Sequence, residues 1–314
     1  MTLSAEEYRG HLRATARLAG LDIGAVILPR EETVRVGEIG LHYLDWGEAG
    51  RPPILFLHGG ALTAHTWDLC CLALREAFHC LALDQRGHGE SDWAPDADYS
   101  LPSQREDIRG FAETLGLEAP ILVGQSLGAI NALAYAIEYP ERLSALVLID
   151  AGPTTRRAGA SRIREFVREV GDAPNLEAIV ERALAFNPRR DPEILRATLL
   201  HNLRRLPDGG WMWKYDRRRF VELDSEEHRG ERMKLADRLD RVSCPTLVVR
   251  GAESDVFFEE DAARLAASLP QGRHVTIPEA GHTVQGDNAK DLVLALKEFL
   301  RGSHEIASSL RSSQ

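Results

Sequence analysis

The stretch Ile121-Leu122-Val123-Gly124-Gln125-Ser126-Leu127-Gly128-Ala129 decides how the rest of the chain is read. Its first three residues form the apolar run of a buried strand, and residues 129–139 carry the alanine-rich pattern of a packed helix. Between them lies Gly-x-Ser-x-Gly. A serine on a strand-to-helix turn projects its side chain beyond the edge of the sheet. The flanking glycines, lacking Cβ atoms, let strand and helix approach closely enough to make so sharp a turn. The turn also aims the first amide N–H groups of the helix at whatever is bonded to the serine. Glycine and serine are common in ordinary loops, so the motif gains meaning only if the chain also supplies a base, an acid and a second donor for an oxyanion.

Working outward, residues 33–36 and 39–46 alternate as an antiparallel hairpin about Gly37. Apolar strands follow at 53–57 and 78–83, with a helix over 66–77 between them, then a helix over 102–115, the elbow strand, and a strand at 143–149. Strands resume at 246–249 and 274–277, separated by a helix near 259–269 and followed by a last helix over 288–300. Strands alternating with helices predict an α/β fold: a mostly parallel, doubly wound eight-stranded sheet covered on both faces. Residues 152–235 break this rhythm, showing only helical patterns interrupted at Pro174, Pro188, Pro192, Pro207 and Gly209-Gly210. They predict a helical lid inserted after the sixth strand. Ligands of open α/β sheets bind outside the carboxyl ends of the strands, so the lid is expected over the serine. The expected divisions are a helical extension at 1–30, a core of 31–152 and 236–301, a lid at 153–235, and a flexible serine-rich tail at 302–314. Within the extension, residues 4–20 read as an amphipathic helix with Ser4 as cap and Tyr8, Leu12 and Ala16 on its apolar face.

Composition narrows the function. With 314 residues the chain has ample material for a large core, and a net charge of −10 argues against nucleic acid as a partner. No apolar run is long enough to cross a membrane. Glu6, Glu7, Arg9, Arg13 and Arg17 exclude the apolar core of a signal peptide, so a cytoplasmic protein is expected. Cys70, Cys71, Cys80 and Cys244 read as reduced, buried thiols. Neither a dinucleotide fingerprint nor zinc-ligand spacing is present, which predicts no cofactor and no metal. The lid holds 18 Lys/Arg against 14 Asp/Glu, a net of +4 that leaves room for an anionic small-molecule substrate. Nothing in the sequence sets an oligomeric state.

A serine hydroxyl is a poor nucleophile at neutral pH and needs a base. Of eleven histidines, His282 is placed for this, in the loop Pro278-Glu279-Ala280-Gly281-His282-Thr283 directly after the last strand. Two aspartates end strands at the same edge: Asp150 before the lid, and Asp255 in Arg250-Gly251-Ala252-Glu253-Ser254-Asp255 after it. Either satisfies the order Ser…Asp…His, and the residues alone leave both open. The amide of Leu127, immediately after the serine, is the natural first oxyanion donor. Gly60 in His58-Gly59-Gly60-Ala61 supplies the second. The segment Gly209-Gly210-Trp211-Met212-Trp213-Lys214-Tyr215-Asp216 reads as aromatic packing of the lid onto the core, and Arg217, Arg218 and Arg219 as a solvated helix face.

Over nearly all of residues 31–301 the chain resembles the α/β-hydrolase family. Four signatures carry the resemblance in the family's order: His58-Gly59, the turn Asp84-Gln85-Arg86-Gly87-His88-Gly89-Glu90-Ser91, the elbow Gly124–Gly128, and Gly281-His282. The resemblance implies a Ser126–His282–aspartate triad and favours Asp255, after the strand that follows the lid, with Asp150 as the alternative acid. It also implies that Asp84, Arg86 and His88 are structural. Members resembling haloalkane dehalogenases or epoxide hydrolases carry aspartate at the elbow, so Ser126 argues against both. The expectation is a serine hydrolase cleaving a small carboxylic ester, thioester or lactone through an acyl-enzyme. Alternatives on the same triad are a carbon–carbon bond hydrolase, against which Thr283 speaks, and a cofactor-free perhydrolase. A non-catalytic small-molecule receptor on the same fold is the alternative of another class.

Overall fold

The structure, a computed structural model, describes residues 3–154, 175–188, 190–219 and 226–311. Helix α1 (Ala5–Leu18) precedes an eight-stranded sheet. In chain order, β1 (Arg30–Val36), β2 (Ile39–Asp45) and β3 (Pro53–Leu57) are followed by α2 (Asp68–Leu74), β4 (His79–Leu83), α3 (Leu101–Thr114), β5 (Ile121–Gln125), α4 (Leu127–Glu138) and β6 (Ala145–Ile149). Between β6 and the next sheet strand lie α5 (Leu176–Phe186), α6 (Pro192–Asn202), β7 (Leu203–Arg205), β8 (Trp211–Trp213) and α7 (Glu226–Ala236). The chain closes with β9 (Thr246–Gly251), α8 (Glu259–Ser268), β10 (Gly272–Ile277), α9 (Val284–Asp287) and α10 (Ala289–Arg311). Strand order is β1-β2-β4-β3-β5-β6-β9-β10. The β1–β2 and β2–β4 pairs are antiparallel; every other pair in this sheet is parallel.

The doubly wound arrangement follows from side-chain alternation. Leu55 and Leu57 on β3, Leu122 on β5, Leu146 and Leu148 on β6 face one way, into a core with α3 and α4. Ile54, Phe56, Ile121, Val123, Val147 and Ile149 face the other way, against α1, α2 and α10. Each central strand is therefore apolar on both faces, which produces the continuous apolar runs seen in the sequence. On α1, Ser4 and Glu7 form a reciprocal capping box; Tyr8, Leu12 and Ala16 are buried, the first two in the second of these cores.

Three elements differ from expectation. Residues 152–235 are not wholly helical: β7 and β8 form an antiparallel ribbon, Leu203 opposite Trp213, closed through Gly209 at φ +88°. Bulky Trp211 and Trp213 favour extended backbone, and the glycine pair supplies a turn that helical periodicity cannot reveal. Helix α2 begins two residues later than expected and is preceded by a 3₁₀ turn at Ala64–Trp67. Helix α10 continues to Arg311, into the segment expected to be a flexible tail; residues 312–314 lie outside the described residues. The charge pattern of the lid falls partly on residues 155–174 and 220–225, also outside them. Cys70, Cys71, Cys80 and Cys244 are free and buried.

Candidate active site

Strand β5 ends and α4 begins within one residue, and Ser126 absorbs the change of direction with φ +53°, ψ −111°. This left-handed region is unfavourable for a serine, and the surroundings hold it there. Ser126 N–H donates to the Ile149 carbonyl at 3.0 Å, and Gly128 N–H to that of His58 at 3.1 Å. The flanking glycines have the role expected of them. A Cβ on Gly124 would strike the Gly128 carbonyl, and one on Gly128 would strike that of Leu57.

Loops from three other strands converge on the serine. His282, after β10, sets Nε2 at 3.0 Å from Ser126 Oγ. Its Nδ1 lies 2.8 Å from Asp150 Oδ2. The carboxylate on the imidazole is thus Asp150, the alternative acid, and not Asp255. The reason is positional. Asp150 follows β6, the neighbour of β5 in the sheet, at φ +52°, with its N–H donating to the Val249 carbonyl at 2.7 Å. Its fully buried carboxylate also accepts from Gly251 N–H at 3.0 Å and Ser254 Oγ–H at 2.5 Å. Ser254, not Asp255, is the side chain that the loop after β9 turns inward. A signal was available: Asp150 directly abuts the apolar run Leu146–Ile149, whereas Asp255 lies four residues past Gly251.

The loop after β3, expected to supply the second oxyanion donor, lies against the serine. Gly59 packs against the serine, since a Cβ built there would sit 3.3 Å from Ser126 Cβ and strike Gln125 Oε1. Gly60 follows, exposed and with open space around its Cα. Leu127 opens α4, and the amides of Gly60 and Leu127 have no backbone partner among the described residues.

Buried amides and imidazoles support this loop, a layer that motif reading missed. His58 Nε2 accepts from Gln85 N–H at 3.0 Å, which makes Nδ1 the protonated nitrogen donating to the Gly59 carbonyl at 2.7 Å. Burial lowers the His58 pKa and keeps this tautomer neutral. Gln85 Nε2 donates to the His58 carbonyl, and Asn131 Nδ2 bridges Gln85 Oε1 and Gln104 Oε1. Gln125, inside the elbow motif, donates to the His282 carbonyl at 2.9 Å.

Asp84, Arg86 and His88 make structural contacts. Asp84 accepts from Ala64 N–H and pairs with His42 at 2.8 Å. Burial opposes ionisation of Asp84, but the hydrogen bond and charge of His42 outweigh it and hold the carboxyl below its ordinary pKa. Arg86 grips Asp107 with two nitrogens. Burial, with the adjacent Arg219 second, pushes the His88 pKa well below its ordinary value, and Arg219 donates to Nε2 at 2.6 Å.

Arg219 therefore corrects the expectation of a solvated face, being 2% exposed against His88. Arg218 pairs with Asp216 and donates to the Ala94 and Pro95 carbonyls; of the three, Arg217 and Arg218 are exposed and Arg219 is buried. The segment is a turn pressed onto the 84–91 loop: Gly89 N–H donates to the Lys214 carbonyl and Asp216 N–H to that of Gly87. Trp213 and Tyr215 pack with Leu176, Ile179, Leu195, Leu199 and Leu203, a separate apolar cluster that Ala61 of the oxyanion loop adjoins.

Chemically, an alkoxide-forming serine, an imidazole on it and a buried carboxylate behind the imidazole suit acyl transfer. A family model described as alpha/beta hydrolase fold matches residues 52–289. The chain is 34% identical over 282 residues to Esterase Rv0045c of Mycobacterium tuberculosis, covering 88% of this chain and 89% of that one. A crystal structure of that esterase superposes with a TM-score of 0.75 at 30% identity, covering 95% and 99% of the two chains. The sn-1-specific diacylglycerol lipase ABHD11 of Mus musculus is 30% identical, with 81% and 82% covered. The 2-(acetamidomethylene)succinate hydrolase of Mesorhizobium japonicum is 28% identical, with 89% and 99% covered. On this fold and these relatives the protein is an enzyme of the hydrolase class, and it belongs to the alpha/beta hydrolase fold family.

Proposed function

We propose that the protein is a serine esterase that cleaves a small carboxylic ester, thioester or lactone through an acyl-enzyme, with Asp150 as the acid of the triad. The unbroken hydrogen-bonded line Ser126 Oγ–His282 Nε2, His282 Nδ1–Asp150 Oδ2 carries this reading. His282 takes the Ser126 proton as Oγ attacks the carbonyl carbon, and Asp150 stabilises the imidazolium. The amides of Leu127 and Gly60 receive the negative charge on the carbonyl oxygen. Collapse expels the alcohol, thiol or ring oxygen, which takes its proton from His282. Water then enters and gives a proton to His282 as its oxygen attacks the acyl carbon, and collapse releases the acid as Ser126 Oγ takes that proton back from His282. The net positive charge of residues 153–235, and relatives whose printed names include a substituted succinate hydrolase, favour an anionic substrate.

The test is Ser126→Ala. It should abolish fluorophosphonate labelling and lower kcat on p-nitrophenyl acetate by several orders of magnitude, approaching about a million-fold. Labelling and turnover that persist at the parent level would remove Ser126 from the mechanism.

A further inference from the structure

After the loop that follows β3, two side chains of one turn meet a third from the segment inserted after β6 in a second polar cluster. Among the described residues, His65, Asp68 and His201 each offer a metal-ligating atom within 4.8 Å of the other two. His65 lies in the 3₁₀ turn after the oxyanion loop, Asp68 opens α2, and His201 stands near the end of α6. The cluster is buried and incompletely satisfied. Asp68 is 6% exposed; its Oδ2 accepts from the Tyr8 hydroxyl at 2.5 Å and lies 3.2 Å from His65 Nδ1. Among the described residues, its Oδ1 is buried with no hydrogen-bond partner, and so is His201 Nε2. Native interiors rarely leave a carboxylate oxygen and an imidazole nitrogen unpaired side by side, because each forfeits its solvation without compensation.

We propose that His65, Asp68 and His201 bind a divalent transition metal of the zinc class, which fastens α6 to the core beside the oxyanion loop. Two imidazoles and one carboxylate are the donor set of zinc rather than of calcium or magnesium, which prefer oxygen alone. The Tyr8 hydroxyl holds Oδ2 and leaves Oδ1 to the ion. A water molecule completes four-coordination. The His65 and His201 rings now stack with centroids 3.7 Å apart and a 31° tilt. Rotation out of this stack is the rearrangement the ion has to drive. The clamp would act where a polar bridge already crosses from the core to α6: Thr63 Oγ1 donates to Asn202 Oδ1. Sequence spacing does not disclose the site, because its third ligand comes from the segment inserted after β6.

Calorimetric titration of the full chain with ZnCl2 should find one saturable site, and Zn2+ should raise Tm. His201→Gln and Asp68→Asn should each weaken binding at least about tenfold. His201→Cys keeps a ligand and should retain binding; with CoCl2 it should add a thiolate-to-cobalt charge-transfer band that the parent protein lacks. That band keeps the proposal testable if His201→Gln fails to fold. The absence of saturable Zn2+ binding, equal affinity in the parent and His201→Gln, or binding lost in His282→Ala but intact in His201→Gln would overturn it.

Discussion

Two neighbouring strands, β6 and β9, are each followed by an aspartate at the same sheet edge, and the two corners differ in what they do with it. At the end of β6, Asp150 follows Ile149 with no intervening residue, is fully buried, and has both carboxylate oxygens engaged. Beyond β9, Asp255 sits in the loop after Gly251, half-buried, while its neighbour Ser254 points inward to Asp150. An ionised carboxylate that must hold an imidazole in one orientation needs donors to offset the loss of water around it. The β6 corner supplies them from the neighbouring strand; in the β9 loop the inward-turned side chain is itself one of those donors. The carboxylate at His282 Nδ1 follows the strand next to that of Ser126, and the loop that carries Asp255 supplies one of its donors.

The sharpest way to break this contrast is Asp150→Asn. The amide is nearly isosteric, but it presents two donors and one acceptor where His282 Nδ1–H, Ser254 Oγ–H and Gly251 N–H all require acceptors. It therefore favours the wrong imidazole tautomer, and kcat on p-nitrophenyl acetate should fall by about 10⁴-fold. Circular dichroism should remain that of the parent, which separates the effect from unfolding. Parent-like activity in this variant would return the role of acid to another residue.

The same contrast explains what the sequence discloses. Strand and helix identities in the core are legible because β3, β5 and β6 are apolar on both faces and because Gly124 and Gly128 are sterically compelled. Ser126 and His282 are legible because each sits in a short loop after a strand, where neighbours in sequence determine position. The choice between Asp150 and Asp255 is not a local property: the family resemblance favours the β9 corner, while the carboxylate that contacts His282 is at the β6 corner. Gln125, Gln85 and Asn131 escaped for a related reason, since an amide becomes informative only when its partner, such as the His282 carbonyl, is known. The β7–β8 ribbon lies in a segment whose short strands are set by tertiary packing of Trp213 against α5 and α6.

Ser254→Ala sharpens the comparison at smaller amplitude. It removes one donor from Asp150 Oδ2 while the Gly251 N–H and His282 contacts remain. A hydrogen bond to a charged group contributes about 1.5–3 kcal/mol, but this donor contacts the carboxylate in the ground and transition states alike, so most of that loss does not reach kcat. The expected result is a drop in kcat of about ten-fold or less, with KM unchanged and thermal stability lowered. Rescue by Ser254→Thr, which restores the hydroxyl, would assign the loss to the missing donor. An unchanged kcat would mean that Gly251 and the backbone at φ +52° hold the carboxylate without help.

Asp255→Asn should have the smallest effect, and that is its value. The side chain is half-buried on the loop and is not the carboxylate at His282 Nδ1. Removing its charge changes the field at His282 only through a partly solvated path, where a unit charge is strongly screened. kcat and kcat/KM should stay within about three-fold of the parent, a difference of roughly 0.6 kcal/mol. The informative comparison is with Asp150→Asn in the same assay: the ratio of the two losses measures how far catalysis has been committed to the β6 corner. A loss with Asp255→Asn approaching that of Asp150→Asn would show the two carboxylates acting on one imidazole. In that case Asp150→Asn/Asp255→Asn should be no worse than either single variant, as expected of residues that act as a unit.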